Sequence, residues 1–343
     1  MAERTLGQRE LNRALLARQL LLERVQLPLP RVLERLGGIQ NQYAPNGYIR
    51  LLSCVEGFRR DDLTHALERR AVIQATLMRG TIHLVSRRDY WPLALAVRAP
   101  QRAFLLRARR PPPKERDLRQ AARRLRRVLA PGPRPHKELA AGAGDAWSSV
   151  GPWIDLVRVP PSGTWDQRRA HLYWTAEAWV GPEAGSVDDA VEHLVRRYLG
   201  AFGPARPEDV ASWAGCSARD LTPAVGRLKL RLFRDVEGNV LLDLPRAPLP
   251  DPDTPAPVRF LPTWDSILLT HARRSGVLPE TYRPRVFSTK TPHSVGTFLV
   301  DGAVAGTWRH EQGRIRTEPF ARLDRATQRE LAQEGERLED LHS

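Results

Sequence analysis

Lysine is almost missing from this sequence. Of its 54 basic residues only Lys114, Lys137, Lys229 and Lys290 are lysines, and arginine supplies all the others. Cysteine is equally scarce: Cys54 and Cys216 stand far apart, which excludes a disulfide framework and a thiolate metal site, and fits a reducing cytoplasm. With no run of about 18 apolar residues, neither a transmembrane helix nor a membrane partner is expected. Residues 1–25 carry charge throughout, without the apolar stretch and small-residue cleavage site of a signal peptide. A Walker loop, His-Glu-x-x-His, Cys-x-x-Cys and Gly-x-Ser-x-Gly are all absent, which removes ATP hydrolysis, common zinc chemistry and serine hydrolysis. No metal and no organic cofactor is implied.

Positive charge is what the sequence has in excess. The formal net charge is +15 over 343 residues, 41% of them hydrophobic, enough to build cores for about two to four small domains. Arginine forks suit phosphates and guanine edges. Part of the arginine excess follows from GC-rich codon use, as the many Ala, Pro and Leu suggest, so the sign of the charge is the firmer indicator. That charge is also local. Between residues 98 and 137, fourteen Arg and Lys face only Glu115 and Asp117. Taken alone, such a run is a solvated helix face or a loop around Pro111-Pro112-Pro113.

The order of elements gives the run its context. Apolar residues recur at helical spacing over residues 8–24 and again over 29–36, where Gly37-Gly38 stops the second helix. Asp61 or Asp62 can cap a further helix through Arg70. Residues 71–76 and 81–86 then read as two strands around Met78-Arg79-Gly80. Helices followed by a hairpin make a winged helix. The order returns over residues 187–199, 207–214 and 217–228, the last opened by the capping box Ser217 to Asp220, with a hairpin of residues 230–235 and 240–244 around Glu237-Gly238-Asn239. Between these units, residues 118–129 read as a basic helix, 135–141 with 148–156 as the turn and second helix of another unit, and 157–160 with 170–174 as its wing. Residues 245–257 are a proline-rich linker. Strands 295–300, 303–309 and 314–318 and a charged helix over 324–341 close the chain. The expected architecture is α+β: three tandem winged helix-turn-helix units with a small C-terminal β-rich domain, divided as residues 1–98, 99–183, 184–245 and 246–343.

Residues 36–52 read LGGIQNQYAPNGYIRLL and residues 76–93 read TLMRGTIHLVSRRDYWPL. Both resemble the AlkZ-like winged-helix DNA glycosylases, a bacterial family whose type member undoes DNA alkylated by azinomycin. LPTWDSILLTHARRSGVLP (residues 261–279) and FLVDGAVAGTW (residues 298–308) are similar to the family's closing segments, so the resemblance covers nearly the whole chain. It implies that three winged-helix units curve around the C-terminal domain to form a DNA-sized channel. It also implies a catalytic pair of glutamines one residue apart, here Gln40 and Gln42, with Asn41 where the family often has a hydrophobic spacer. The third amide would reshape the lesion pocket or touch DNA.

An amide has no useful basicity and can only orient water through hydrogen bonds. The substrate must therefore be reactive already. N7-alkylguanine carries a positive charge that weakens its glycosidic bond, and two glutamines holding a water below C1′, with a carbonyl dipole toward the developing charge, would suffice. The implied function is monofunctional excision of bulky N7-alkylguanine adducts from double-stranded DNA by a monomer, near the bacterial nucleoid, as self-resistance against a genotoxic natural product. Full base flipping is not required, because a bulky adduct resists extrusion.

Other residues carry paired readings. Arg79, beside Gly80, reaches a groove or phosphate, or is a solvated turn. Thr81 and His83 share one strand face and point to DNA or into the packed domain. Trp264-Asp265 meets developing positive charge, or Asp265 pairs with Arg273 or Arg274. Lys290 touches a phosphate or is a loop lysine. Gln40 and Gln42 themselves could tie a buried turn, which would leave a winged-helix transcription regulator without catalysis; a regulator would dimerise and bind sequence-specifically. Because neutralised phosphates release counterions, DNA affinity is expected to fall by about a thousandfold or more between about 50 and about 200 mM salt. Binding measured by fluorescence anisotropy that is indifferent to salt would contradict the assignment of the basic run to DNA.

Overall fold

Helix α1 (Gln8–Arg18) is the strut to which distant parts of the chain attach. The computed structural model describes residues 4–269, 276–287 and 294–343. From α1, Asn12 Nδ2 donates to the Gly302 carbonyl at 2.9 Å, and Arg13 pairs with Asp301. One turn on, Arg18 forms a fully buried pair with Asp243 at 2.7 Å, whose carboxylate also receives Arg231. Removing one partner of such a pair strands a buried charge, so this contact fixes α1 against the third hairpin. The helix was expected to run to residue 24, but it stops at Arg18 and Leu20 takes a left-handed φ of 56°. Tertiary anchors overrule the helical period here: Gln19 turns its amide to the carbonyls of Leu36 and Ala201, and its own carbonyl accepts from Arg50.

Helix α2 (Leu29–Leu36) ends at Gly37, whose φ of 70° turns the chain into strand β1 (Ile39–Gln40). Helices α3 (Pro45–Leu52) and α4 (Arg60–Glu68) follow. Asp62 accepts the Arg59 N–H ahead of α4 at 2.7 Å, as a residue in the first turn rather than at the cap. Strands β2 (Val72–Thr76) and β3 (Ile82–Ser86) form the expected hairpin. Ser86 Oγ then caps α5 (Arg87–Ala108) by accepting from the Asp89 N–H. The expected division between residues 98 and 99 falls inside this continuous helix.

The basic run occupies the end of α5 and helix α6 (Glu115–Leu129), which buries Leu118, Ala121, Ala122 and Leu125. Arg107, Arg123, Arg124 and Arg127 are exposed and form no ion pair among the described residues. Strand β4 (Arg134–Pro135) and helix α7 (His136–Ala143) come next. The helix expected over residues 148–156 does not form. Gly144 has φ 58° and Asp155 φ 52°, held by Arg98 at 3.1 Å, and the chain makes two short 3-10 turns before strand β5 (Leu156–Arg158). Strand β6 (Leu172–Thr175) completes this wing and helix α8 (Ala176–Trp179) follows. The first two wings are one sheet: β5 pairs antiparallel with β2, giving the order β1-β3-β2-β5-β6-β4.

Helix α9 (Val187–Phe202), capped by Ser186, packs along α5. Helix α10 (Pro207–Ala214) ends at Gly215, and α11 (Ala218–Arg227) opens with the expected reciprocal bonds between Ser217 and Asp220. Strands β7 (Arg231–Arg234) and β8 (Val240–Asp243) form a separate hairpin. The C-terminal sheet includes a strand not expected, β9 (Arg259–Leu261). Short helices α12 (Ser266–Leu269) and α13 (Arg283–Val286) precede strands β10 (Gly296–Val300), β11 (Ala303–Glu311) and β12 (Arg314–Pro319). The order is β12-β11-β10-β9. Asp324 caps the terminal helix α14 (Arg325–His342). Phe260, Phe298, Leu331 and Leu338 share one core with Tyr48 and Ile49 of α3 and with Cys54 just beyond it, which seats the C-terminal sheet beside the glutamine segment. Among the described residues no helix is long and apolar enough to cross a membrane.

Candidate active site

Gly37 and Gly38, with φ of 70° and 83°, deliver β1 against β3 so that Gln40 lies opposite His83. A Cβ on Gly38 would meet the Leu84 carbonyl at 3.1 Å, so the turn also needs the missing side chain. One residue on, the Asn41 N–H donates to the Ile82 carbonyl at 2.7 Å. The ladder is then completed by a side chain: the Ile82 N–H donates to Gln42 Oε1 at 2.7 Å.

The two glutamines are held differently. Gln40 is 5% exposed, and its Oε1 accepts from Arg79 Nη2. Gln42 is exposed, with its neighbour Tyr43 45% exposed and bonded to Arg168 at 2.8 Å. Because the partners of both Oε1 atoms are obligate donors, the amide orientations follow directly. Neither Nε2 has a hydrogen-bond partner among the described residues, and that of Gln40 is not sealed from solvent. The carbonyl of Gln40 is thus turned to a guanidinium, which leaves the carbonyl of Gln42 as the one to present toward developing charge on a substrate.

Arg79 itself sits in left-handed backbone at φ 55°, in the turn between β2 and β3, and its Nη1 donates to the Trp213 carbonyl at 2.7 Å. Burial pushes its pKa down to about 10, so it remains cationic at neutral pH. Gly215 of the third unit packs on this turn so closely that a Cβ there would lie 2.9 Å from Arg79 Cα. Arg79 is thus neither a solvated turn nor free to reach a phosphate in this arrangement. His83 is 1% exposed; its Nδ1 bonds the Thr81 carbonyl at 3.0 Å and its Nε2 is unpartnered. Burial, then the Arg79 charge, push its pKa down to about 3, against the opposing pull of the Thr81 carbonyl, so the imidazole is neutral. Thr81 closes its own turn through Oγ1 to the Met78 carbonyl.

Asn41 is 1% exposed and is a pin rather than a surface contact: its Oδ1 accepts the Gly47 N–H at 2.9 Å and anchors α3. Asp265 is buried too, and its partner is Arg50 at 3.1 Å, a pairing no spacing suggests. Burial raises its pKa while Arg50 pulls the other way. Trp264, at φ 61°, donates its N–H to Ser294 Oγ, and Thr263 makes two bonds with Asn46. These contacts clamp the 263–265 segment onto α3. Arg273, Arg274 and Lys290 lie outside the described residues. The sequence reading missed Trp213, Gly215 and Arg50; only Gly215 leaves a signal, as the residue that ends α10. Among the described residues no group of three His, Cys, Asp or Glu is placed to hold a metal.

The site therefore offers two amide groups, a half-buried cation and a neutral imidazole, with no carboxylate bonded to any of them among the described residues. Residues 33–341 match the family described as DNA glycosylase AlkZ-like. The chain belongs to the AlkZ-like DNA glycosylase family. As a member it is a DNA glycosylase, a hydrolase of N-glycosyl bonds in DNA. The solved structure of Streptomyces sahachiroi DNA glycosylase AlkZ superposes with a TM-score of 0.83 at 20% identity, covering 98% of this chain and 97% of that one. No curated protein matches the chain in sequence.

The neutral imidazole of this glycosylase has a measurable consequence. Its folded pKa lies below 6.5, so the unfolded chain takes up a proton between about pH 6.5 and 3 that the native chain refuses, and stability falls as pH falls through that window. His83→Gln should lose less of its urea midpoint between about pH 7 and about pH 5 than the wild type. Equal losses would show that His83 is not held neutral.

Proposed function

We propose that this glycosylase acts as a monomer on double-stranded DNA and excises bulky N7-alkylguanine adducts, with Gln40 and Gln42 as the catalytic pair. The observation that carries the reading is the absence of any carboxylate among the groups bonded to Gln40, Asn41, Gln42, Arg79 and His83 in the described residues. Without a general base, the enzyme depends on a leaving group that is already cationic.

In the proposed step, a water donates one hydrogen to the lone pair left on Gln42 Oε1 and accepts one from Gln40 Nε2. Its own lone pair is then aimed at C1′. As the C1′–N9 bond breaks, its electrons pass to the purine and cancel the positive charge. The water oxygen bonds C1′, its proton leaves to solvent, and an abasic site remains. Undamaged guanine, a far poorer leaving group, is left in place. A protein of this kind serves self-resistance in an organism that makes the alkylating agent.

Duplex DNA carrying defined N7-alkylguanines, incubated with the protein and treated with mild base, should break at the lesion. Gln40→Ala and Gln42→Ala should each slow excision by about a hundredfold. Unbroken DNA with the wild type across several bulky adducts would end the substrate assignment, and undiminished breakage by the double variant would place the site elsewhere.

A further inference from the structure

Arg79 has a second side. While Nη2 holds Gln40, the same residue lines a cavity of about 620 Å³ between α5 and the 147–158 segment, within the range of drug-sized ligand sites. Its walls are aromatic. Phe104 projects from α5 and is 61% exposed, although it is a large apolar side chain. Opposite, Trp147 and Tyr173 meet edge to face at 5.8 Å, and Trp147 Nε1 donates to His136 at 2.8 Å. Exposed aromatic surface of this kind is stabilised by a flat partner.

The polar lining is cationic. Arg79, Arg98 and Arg158 line the cavity with one carboxylate, Asp155; Arg98 pairs with it at 3.1 Å and with Glu183, outside the lining, at 2.6 Å, which leaves Arg79 and Arg158 as the cations without a carboxylate among the described residues. Arg158 lies 5.0 Å from the Tyr173 ring centroid and donates from Nη1 to Thr76 Oγ1 at 3.0 Å, on the same wall. Aromatic faces beside arginine side chains select a planar ring system bearing carbonyl, hydroxyl or phenolate oxygens, and disfavour a cation.

We propose that this cavity receives the planar, oxygenated aromatic part of the adduct, so that the bulk of the lesion is read on one side of Arg79 while the glycosidic bond is presented to the glutamines on the other. The inference rests on the bulky-adduct reading above. It adds a binding site and a chemical class of substituent.

Calorimetry with free dihydroxyanthraquinone tests the site without catalysis. The wild type should bind one equivalent. Phe104→Ala, at an exposed position, should weaken binding about tenfold. Gly151→Trp should abolish it, because a Cβ on Gly151 meets nothing within 4 Å and the indole would fill the space. Both variants should excise N7-methylguanine within about twofold of wild type and lose about tenfold or more on an anthraquinone-bearing N7-guanine adduct. No saturable binding by the wild type, binding untouched by both substitutions, or equal losses on the two lesions would overturn the cavity assignment. A wild type that binds the dye but excises neither lesion would instead sink the substrate reading and leave the cavity standing.

Discussion

One half-buried cation, with no carboxylate partner among the described residues, organises this molecule. No carboxylate among the described residues pairs with Arg79; its guanidinium donates to two carbonyl oxygens, one from the side chain of Gln40 and one from the backbone of Trp213. Carbonyl oxygens retain the charge less well than a carboxylate would, and burial lowers the pKa to about 10, yet the group stays ionised under ordinary conditions. The cost of desolvating it is tolerated because the contact joins parts of the chain that no local preference connects. The first wing, the helix-turn-helix bend of the third unit and the amide of Gln40 all take their positions from it.

The same contact makes the two glutamines unequal. Gln40 is buried, its carbonyl committed to a charge, its amino group directed away; Gln42 is exposed and substitutes for a backbone carbonyl in the β1–β3 ladder. A pair so arranged can fix a water between a donor and an acceptor, but it cannot take a proton. On the proposal that this pair is catalytic, the chemistry open to it is the removal of bases that leave readily; the family to which the chain belongs hydrolyses N-glycosyl bonds in DNA. Asn41 between them faces inward onto α3, so the unusual middle residue is explained by packing.

Much of this architecture is legible in the sequence where the signal is local. Gly37 ends α2, Ser217 and Asp220 cap α11, and Asp324 caps α14, each through bonds made within a few residues. Hairpin turns at Asp301-Gly302 and Gln312-Gly313 are equally plain, both residues of each turn having positive φ. Legibility fails where distant residues decide. Pro92 and Pro100 conceal the long helix α5, the 148–156 stretch reads as helix until Arg98 captures Asp155, and the merging of two wings into one sheet depends on β2 and β5 being neighbours in space. Gln40 and Gln42 were found through a resemblance rather than through spacing. Their contrast in burial, and Arg50 as the partner of Asp265, became visible only in the folded chain.

The coupling of Arg79 to Gln40 is the claim on which the site depends, and a double-mutant cycle on single-turnover excision of an N7-alkylguanine measures it. In the wild-type background Arg79→Ala should slow excision by about ten- to a hundredfold, the worth of a hydrogen bond to a charged group. In the Gln40→Ala background the same substitution should change the rate by no more than about twofold. Equal losses in the two backgrounds would show that Arg79 acts independently of the glutamine and would contradict the account.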